Sequence, residues 1–199
     1  APRCGSPGGQ DSRRGTFVQR HAVMHDRETG GAEWTPLLYL SADQAKFWIY
    51  DSSLSEYAAL GFEYGYSVER PDAWCCGRRS SATSSTARRP SSTSSSPPPS
   101  RSGASTRPSC CCSPTATRAR GPDHSSARIE RFLQMCAEGN MTVAQPTTPA
   151  SYFHLLRHQA YTRPRRPLVV FTPKSMLRLK AGASQVADFT SGTFRPVIG

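Results

Sequence analysis

Apolar positions fall into two patterned stretches, separated by a long run that has almost none. In residues 10–73, the segment FWIY (47–50) is continuously apolar and predicts a buried strand over 46–50. Asp51, Ser52 and Ser53 then offer helix caps, and residues 54–68 read as a helix. In residues 121–199, Ile129, Phe132, Leu133 and Cys136 recur at helical spacing, which predicts a helix over 125–138 that Gly139 stops. A short strand follows at 141–144. Thr148 caps a second helix, with Pro149 at its first position and Tyr152, Leu155, Leu156 and Gln159 on one side. The run LVVF (168–171) is a further strand. Alternating strands and helices predict an α/β domain: a mostly parallel sheet with flanking helices.

Residues 74–120 break this pattern. They contain no Leu, Ile, Val, Phe, Met or Tyr and no acidic residue. A Ser/Arg/Pro-rich composition of this kind cannot build a core and reads as disordered. Neither flank has enough strands to close its own sheet. The expected organisation is therefore one domain in two parts, 10–73 and 121–199, interrupted by a disordered 74–120 and preceded by a disordered or out-of-frame 1–9.

Charge and cysteine follow the same boundary. The formal net charge is +11, which suggests an anionic partner. Yet Arg78, Arg79, Arg88, Arg89, Arg101, Arg107, Arg118 and Arg120 all lie in the interrupting stretch, and the rest is close to neutral. A basic Ser/Arg-rich module binding nucleic acid or phosphate is thus an alternative reading of that stretch alone. Cys75, Cys76, Cys110, Cys111 and Cys112 also lie there. Adjacent cysteines do not match zinc-knuckle spacing. Neither a signal peptide nor a membrane span is legible, so a cytoplasmic protein is expected. His21/His25 and His154/His158 have the four-residue spacing of helical metal ligands, but neither pair carries the zinc-protease glutamate, and no metal site is expected on them.

The basic residues of 74–120 are all Arg, never Lys. GC-rich coding DNA read out of frame yields this mixture, because Arg, Pro, Ala and Gly own GC-rich codons and Lys does not. Regrouping plausible codons by one base turns the sequence from Trp74 onward into LVLWEAQFGDF. Residues 87–96 become a string ending GAQAVIDEFI, and 109–120 become VVLLLPHGYEGQ. One base lost after Ala73 and one gained before Gly121 suffice. Pro2 to Pro7 regroups to PVRLT in the same way. On this reading a sheet strand is lost from the chain as translated.

Several motifs carry a family resemblance. GQDSRRGTF (9–17), QRHAV (19–23), YDSSLSEYA (50–58), GPDHSSARIERF (121–132), YFHLLR (152–157) and FTPKS (171–175) occur in one order. Together with the regrouped WEAQFGDF and LLLPHGYEGQ, they resemble the thiamine diphosphate-dependent first component of 2-oxoglutarate dehydrogenase complexes. The resemblance covers 10–73 and 121–199 and implies a transketolase-like pyrimidine-binding domain. It implies oxidative decarboxylation of 2-oxoglutarate in the tricarboxylic acid cycle, with succinyl transfer to a lipoyl-bearing succinyltransferase, in a homodimer. Thiamine diphosphate and magnesium are the implied cofactors. The Gly-Asp-Gly motif for the diphosphate and magnesium is missing from these residues, so the chain reads as a fragment, inactive alone.

The resemblance also assigns site residues. Glu56 matches the glutamate that faces the cofactor pyrimidine; bonded to N1′, it favours the imino tautomer whose nitrogen removes the thiazolium proton. The residues alone favour a different role, since Ser53-x-x-Glu56 is also a capping box. His124 matches an active-site histidine suited to binding a carboxylate or relaying a proton near pH 7, and is otherwise an exposed helix-start residue. Arg20 and His21 are substrate-site candidates. The shift would remove the aromatic that stacks on the pyrimidine and the histidine of LPHGYEGQ.

Overall fold

The computed structural model describes residues 4–9, 11–14, 21–52, 56–70, 73–78, 109–114, 129–162, 166–172, 176 and 179–197. The strands are β1 (Cys4–Gly9), β2 (Met24–His25), β3 (Glu33–Trp34), β4 (Lys46–Phe47), β5 (Tyr50–Asp51), β6 (Ala73–Arg78), β7 (Ser109–Pro114), β8 (Thr142–Ala144) and β9 (Leu168–Thr172). The helices are α1 (Glu56–Glu69), α2 (Ile129–Met135), α3 (Pro149–Tyr161) and α4 (Val186–Thr190). β4 and β5 lie one after the other along β1, and the sheet continues β1-β6-β7-β9-β8 with every pairing parallel. β2 and β3 form a separate antiparallel hairpin.

β9 shows why the sheet is covered on both sides. Four consecutive residues, Leu168 to Phe171, are buried, as an interior parallel strand requires. Leu168 and Val170 pack with Leu155 of α3, alongside Trp74 and Cys76 of β6. Val169 and Phe171 face the opposite way onto Phe132 of α2, where the Phe132 and Phe171 rings meet edge to face at 5.5 Å. Ala73 and Cys75 of β6 are buried with Tyr66 of α1 packed against them. The result is three layers, with α3 on one face and α1 and α2 on the other.

The helix ends follow the sequence signals. Thr148 Oγ1 accepts from the Ser151 amide at 3.2 Å and Ser151 Oγ accepts from the Thr148 amide at 3.1 Å, with Pro149 at the first position. After α2, Glu138 and Gly139 both take positive φ, at 51° and 67°. Asn140 then bonds back to the turn, its amide nitrogen donating to the Met135 carbonyl at 2.9 Å.

Two expectations are corrected. Residues 74–78 and 109–114, at the two ends of the stretch expected to be disordered, form most of β6 and all of β7, the two central strands, and residues 4–9, expected to be disordered or out of frame, form β1. The remainder of 74–120 lies outside the described residues. Strand pairing depends on backbone hydrogen bonds that any non-proline residue can make, and cysteine behaves as a small apolar side chain. Cys75 is accordingly fully buried. The second correction concerns 46–50, which is not a buried strand. It is split into β4 and β5 on the outermost position of the sheet, and Tyr50 is 60% exposed. An edge strand has only one neighbour, so its apolar residues need not be enclosed.

Candidate active site at the carboxyl edge of the sheet

In an open parallel sheet, ligands bind beyond the carboxyl ends of the strands, where connections to adjacent strands leave in opposite directions. Here β1 leads outward to β4 and β5, whereas its neighbour β6 leads the other way to β7. The crevice between β1 and β6 is therefore the switch point. The residues singled out in the sequence all follow carboxyl ends near it. Arg20 and His21 lie on the connection leaving Gly9 at the end of β1. Glu56 opens α1, five residues beyond Asp51 at the end of β5. His124 lies on the connection leaving Pro114 at the end of β7.

His21 is exposed. The backbone places Glu56 as the first residue of α1, and its side chain lies outside the described residues, as do Arg20, His124 and the Ser53 half of the capping box. One turn-pair further along α1, Glu63 is buried at 4% exposure, an unusual place for a carboxylate. It is seven residues from Glu56 and so on the same helical face. The seven-residue spacing is visible in the sequence.

A polar network lies at the carboxyl ends of β1 and β5. The Arg13 amide donates to Asp51 Oδ1 at 3.0 Å, across 38 residues of sequence. The Ala22 amide donates to the Arg13 carbonyl, also at 3.0 Å. The Arg13 guanidinium pairs with Glu33, and His25 Nδ1 lies 3.6 Å from the same carboxylate. The hydrogen bond from Arg13 holds the Glu33 carboxyl below its usual range, aided by the Arg13 and His25 charges. In the adjoining hairpin turn, the Thr29 hydroxyl and nearby amides do the same for Asp26. No single motif announces this network, since its members are brought together only by the sheet.

Three of the four histidines in these pairs have contacts of their own. His25 serves the network just described. His154 is buried with Nε2 2.7 Å from the Asp188 carbonyl, and His158 stacks on Phe194 with centroids 4.5 Å apart. Among the described residues, no group of three or more His, Cys, Asp or Glu side chains could hold a metal ion, and no helix is long and apolar enough to cross a membrane.

The family model described as "Transketolase, pyrimidine binding domain" matches residues 7–77 and 100–180. The chain belongs to this family. The matched residues include most of β6 and all of β7, so the pyrimidine-binding domain pattern runs through both central strands. Among curated relatives, the "2-oxoglutarate dehydrogenase E1/E2 component" of Corynebacterium glutamicum is 50% identical over 194 residues, covering 96% of this chain and 16% of that protein. The "Multifunctional 2-oxoglutarate metabolism enzyme" of Mycobacterium sp. (strain JLS) is 47% identical over 196 residues, covering 96% of this chain and 15% of that protein. The protein of the same name from Mycolicibacterium vanbaalenii is 46% identical over 196 residues. This pyrimidine-binding domain thus spans about 15% of the length of the relatives it matches.

Proposed function

We propose that this chain is the pyrimidine-binding part of a cytoplasmic 2-oxoglutarate dehydrogenase, the thiamine diphosphate-dependent component that passes a succinyl group to a lipoyl-bearing partner. The observation that carries the proposal is the placement of Glu56. It opens α1, five residues beyond Asp51 at the carboxyl end of β5, in a chain of the pyrimidine-binding family. The relatives named for 2-oxoglutarate support the substrate.

Thiamine diphosphate, when bound, supplies the electron sink for decarboxylating a 2-oxo acid. Glu56 suits its pyrimidine, because a carboxyl group there shares a proton with ring nitrogen N1′. His124 is assigned to the substrate carboxylate or to proton relay. Arg20 and His21, on the connection from β1, are assigned to the substrate side of the crevice. Magnesium and the diphosphate belong to parts of the enzyme outside these 199 residues, and a homodimer is the expected assembly.

The Ser/Arg-rich segment fits this role poorly as translated, and we propose that it is read one base out of frame. The described strands support the idea. Interior parallel strands are normally continuous apolar runs, as in β9. β6 and β7 instead read AWCCGR and SCCCSP. The neighbouring frame places LVLWE and VVLLLP at these same positions. Trp74, which that frame replaces by Leu, buries an indole Nε1–H that finds no hydrogen-bond partner among the described residues.

The test is a chimera in which this sequence replaces the matched region of the Corynebacterium glutamicum relative, once as translated and once frame-corrected. Carbon dioxide release from 2-oxoglutarate is expected only from the corrected version. Glu56→Gln in that version is expected to lower kcat by about 10²- to 10⁴-fold. Undiminished turnover by the Gln variant would remove Glu56 from the site, and a fully active uncorrected chimera would end the frame reading.

A further inference from the structure

We infer that Asp51 is a positioning residue: its carboxylate clasps the Arg13 amide, ties the Arg13–Ala22 pair beside His21 to the end of β5, and so anchors His21 to the strand that precedes Glu56. The inference rests on the proposed site, but the clasp itself is visible in the hydrogen bonds. Arg13 is held at three points. Its amide donates to Asp51 Oδ1 at 3.0 Å, its carbonyl accepts from the Ala22 amide at 3.0 Å, and its guanidinium pairs with Glu33.

The strand register explains why Asp51 can do this. Asp51 is the last residue of β5 and pairs with Gly9, the last residue of β1. The chain leaving Gly9 is captured four residues later by the carboxylate beside it. Whatever path residues 14–21 take, they begin and end at the Arg13–Ala22 pair. His21 is adjacent to that pair, so its Cα lies about 3.8 Å from that of Ala22. Glu56, five residues from Asp51, can lie no further than about 17 Å from it even in fully extended chain. Both sides of the candidate site therefore hang on short tethers from a single amide–carboxylate bond, of the stronger charge-assisted kind.

The test uses the full 199-residue chain and two variants. In Asp51→Ala, amide exchange at Arg13 and Ala22 is expected to rise about tenfold, the loss of one such hydrogen bond, while the Val170 amide in β9 keeps its protection. The imidazole resonances of His21 are expected to move. Asp51→Asn, which keeps an Oδ1 acceptor, is expected to restore both. Unchanged protection at Arg13 and Ala22 in the Ala variant would overturn the clasp. Unmoved His21 resonances beside faster exchange at Arg13 and Ala22 would instead separate the clasp from the proposed site, and the exchange data would still decide the clasp.

Discussion

Trp74→Leu is the substitution on which the frame reading makes its least ordinary demand. Replacing a packed tryptophan by a smaller residue normally destabilises; truncation to Ala costs about 3–5 kcal/mol. Trp74 is half-buried against the cluster of Leu155, Leu168 and Val170, yet its indole Nε1–H is enclosed without an acceptor among the described residues. An unsatisfied buried donor of this kind costs about 1–3 kcal/mol. Leucine has no such donor. It gives up on the order of 60 Å² of apolar contact, worth about 1.5 kcal/mol at 25 cal/mol per Å². The two terms nearly cancel, so Trp74→Leu should lie within about 1.5 kcal/mol of the parent and on the stabilising side if the donor cost is at the upper end. Urea unfolding followed by far-UV circular dichroism measures the difference independently of the lost fluorophore. A loss above about 2 kcal/mol would mean that the indole is well accommodated, and that the sheet was made for tryptophan at this position.

Leu155→Ala should behave conventionally. Leu155 is 4% exposed between α3 and β9, and its truncation is expected to cost about 2–5 kcal/mol in the same urea assay. Glu33 makes a pH-dependent contribution. Its folded pKa is depressed, chiefly by the hydrogen bond from Arg13, so the stability it confers is present above the ordinary glutamate value and fades as pH falls through the lower folded value. A carboxyl carbon NMR titration should place its midpoint below that of a free glutamate, and Glu33→Gln should abolish that part of the acid sensitivity. A midpoint at the ordinary value would mean that the Arg13 pair is absent in solution.

The frame proposal also changes what the surface charge means. As translated, the Arg-rich stretch would bind polyanions in a steeply salt-dependent way, since each phosphate contact releases counterions. In the neighbouring frame, the same positions spell strands and a helix, and the chain outside them is close to neutral. Basic character is then a by-product of the reading frame and not a sign of partner choice.

The features legible in the sequence are those settled over a few residues. Thr148 and Pro149 announce the start of α3 because a cap bonds to an amide three positions away. LVVF announces β9 because a strand buried on both faces must be apolar throughout. The motif around Glu56 placed it at a helix start, where α1 begins. What the sequence could not settle was decided at long range. Nothing local distinguishes SCCCSP as a central strand; its place follows from backbone pairing with β6 and with β9, whose Leu168 lies opposite Cys110. Trp48 and Tyr50 of the FWIY segment lie exposed because only its position at the sheet edge determines how many neighbours it has. Arg13 and Asp51 meet across 38 residues because two parallel strands end side by side, a proximity created by the sheet and carried by neither segment alone.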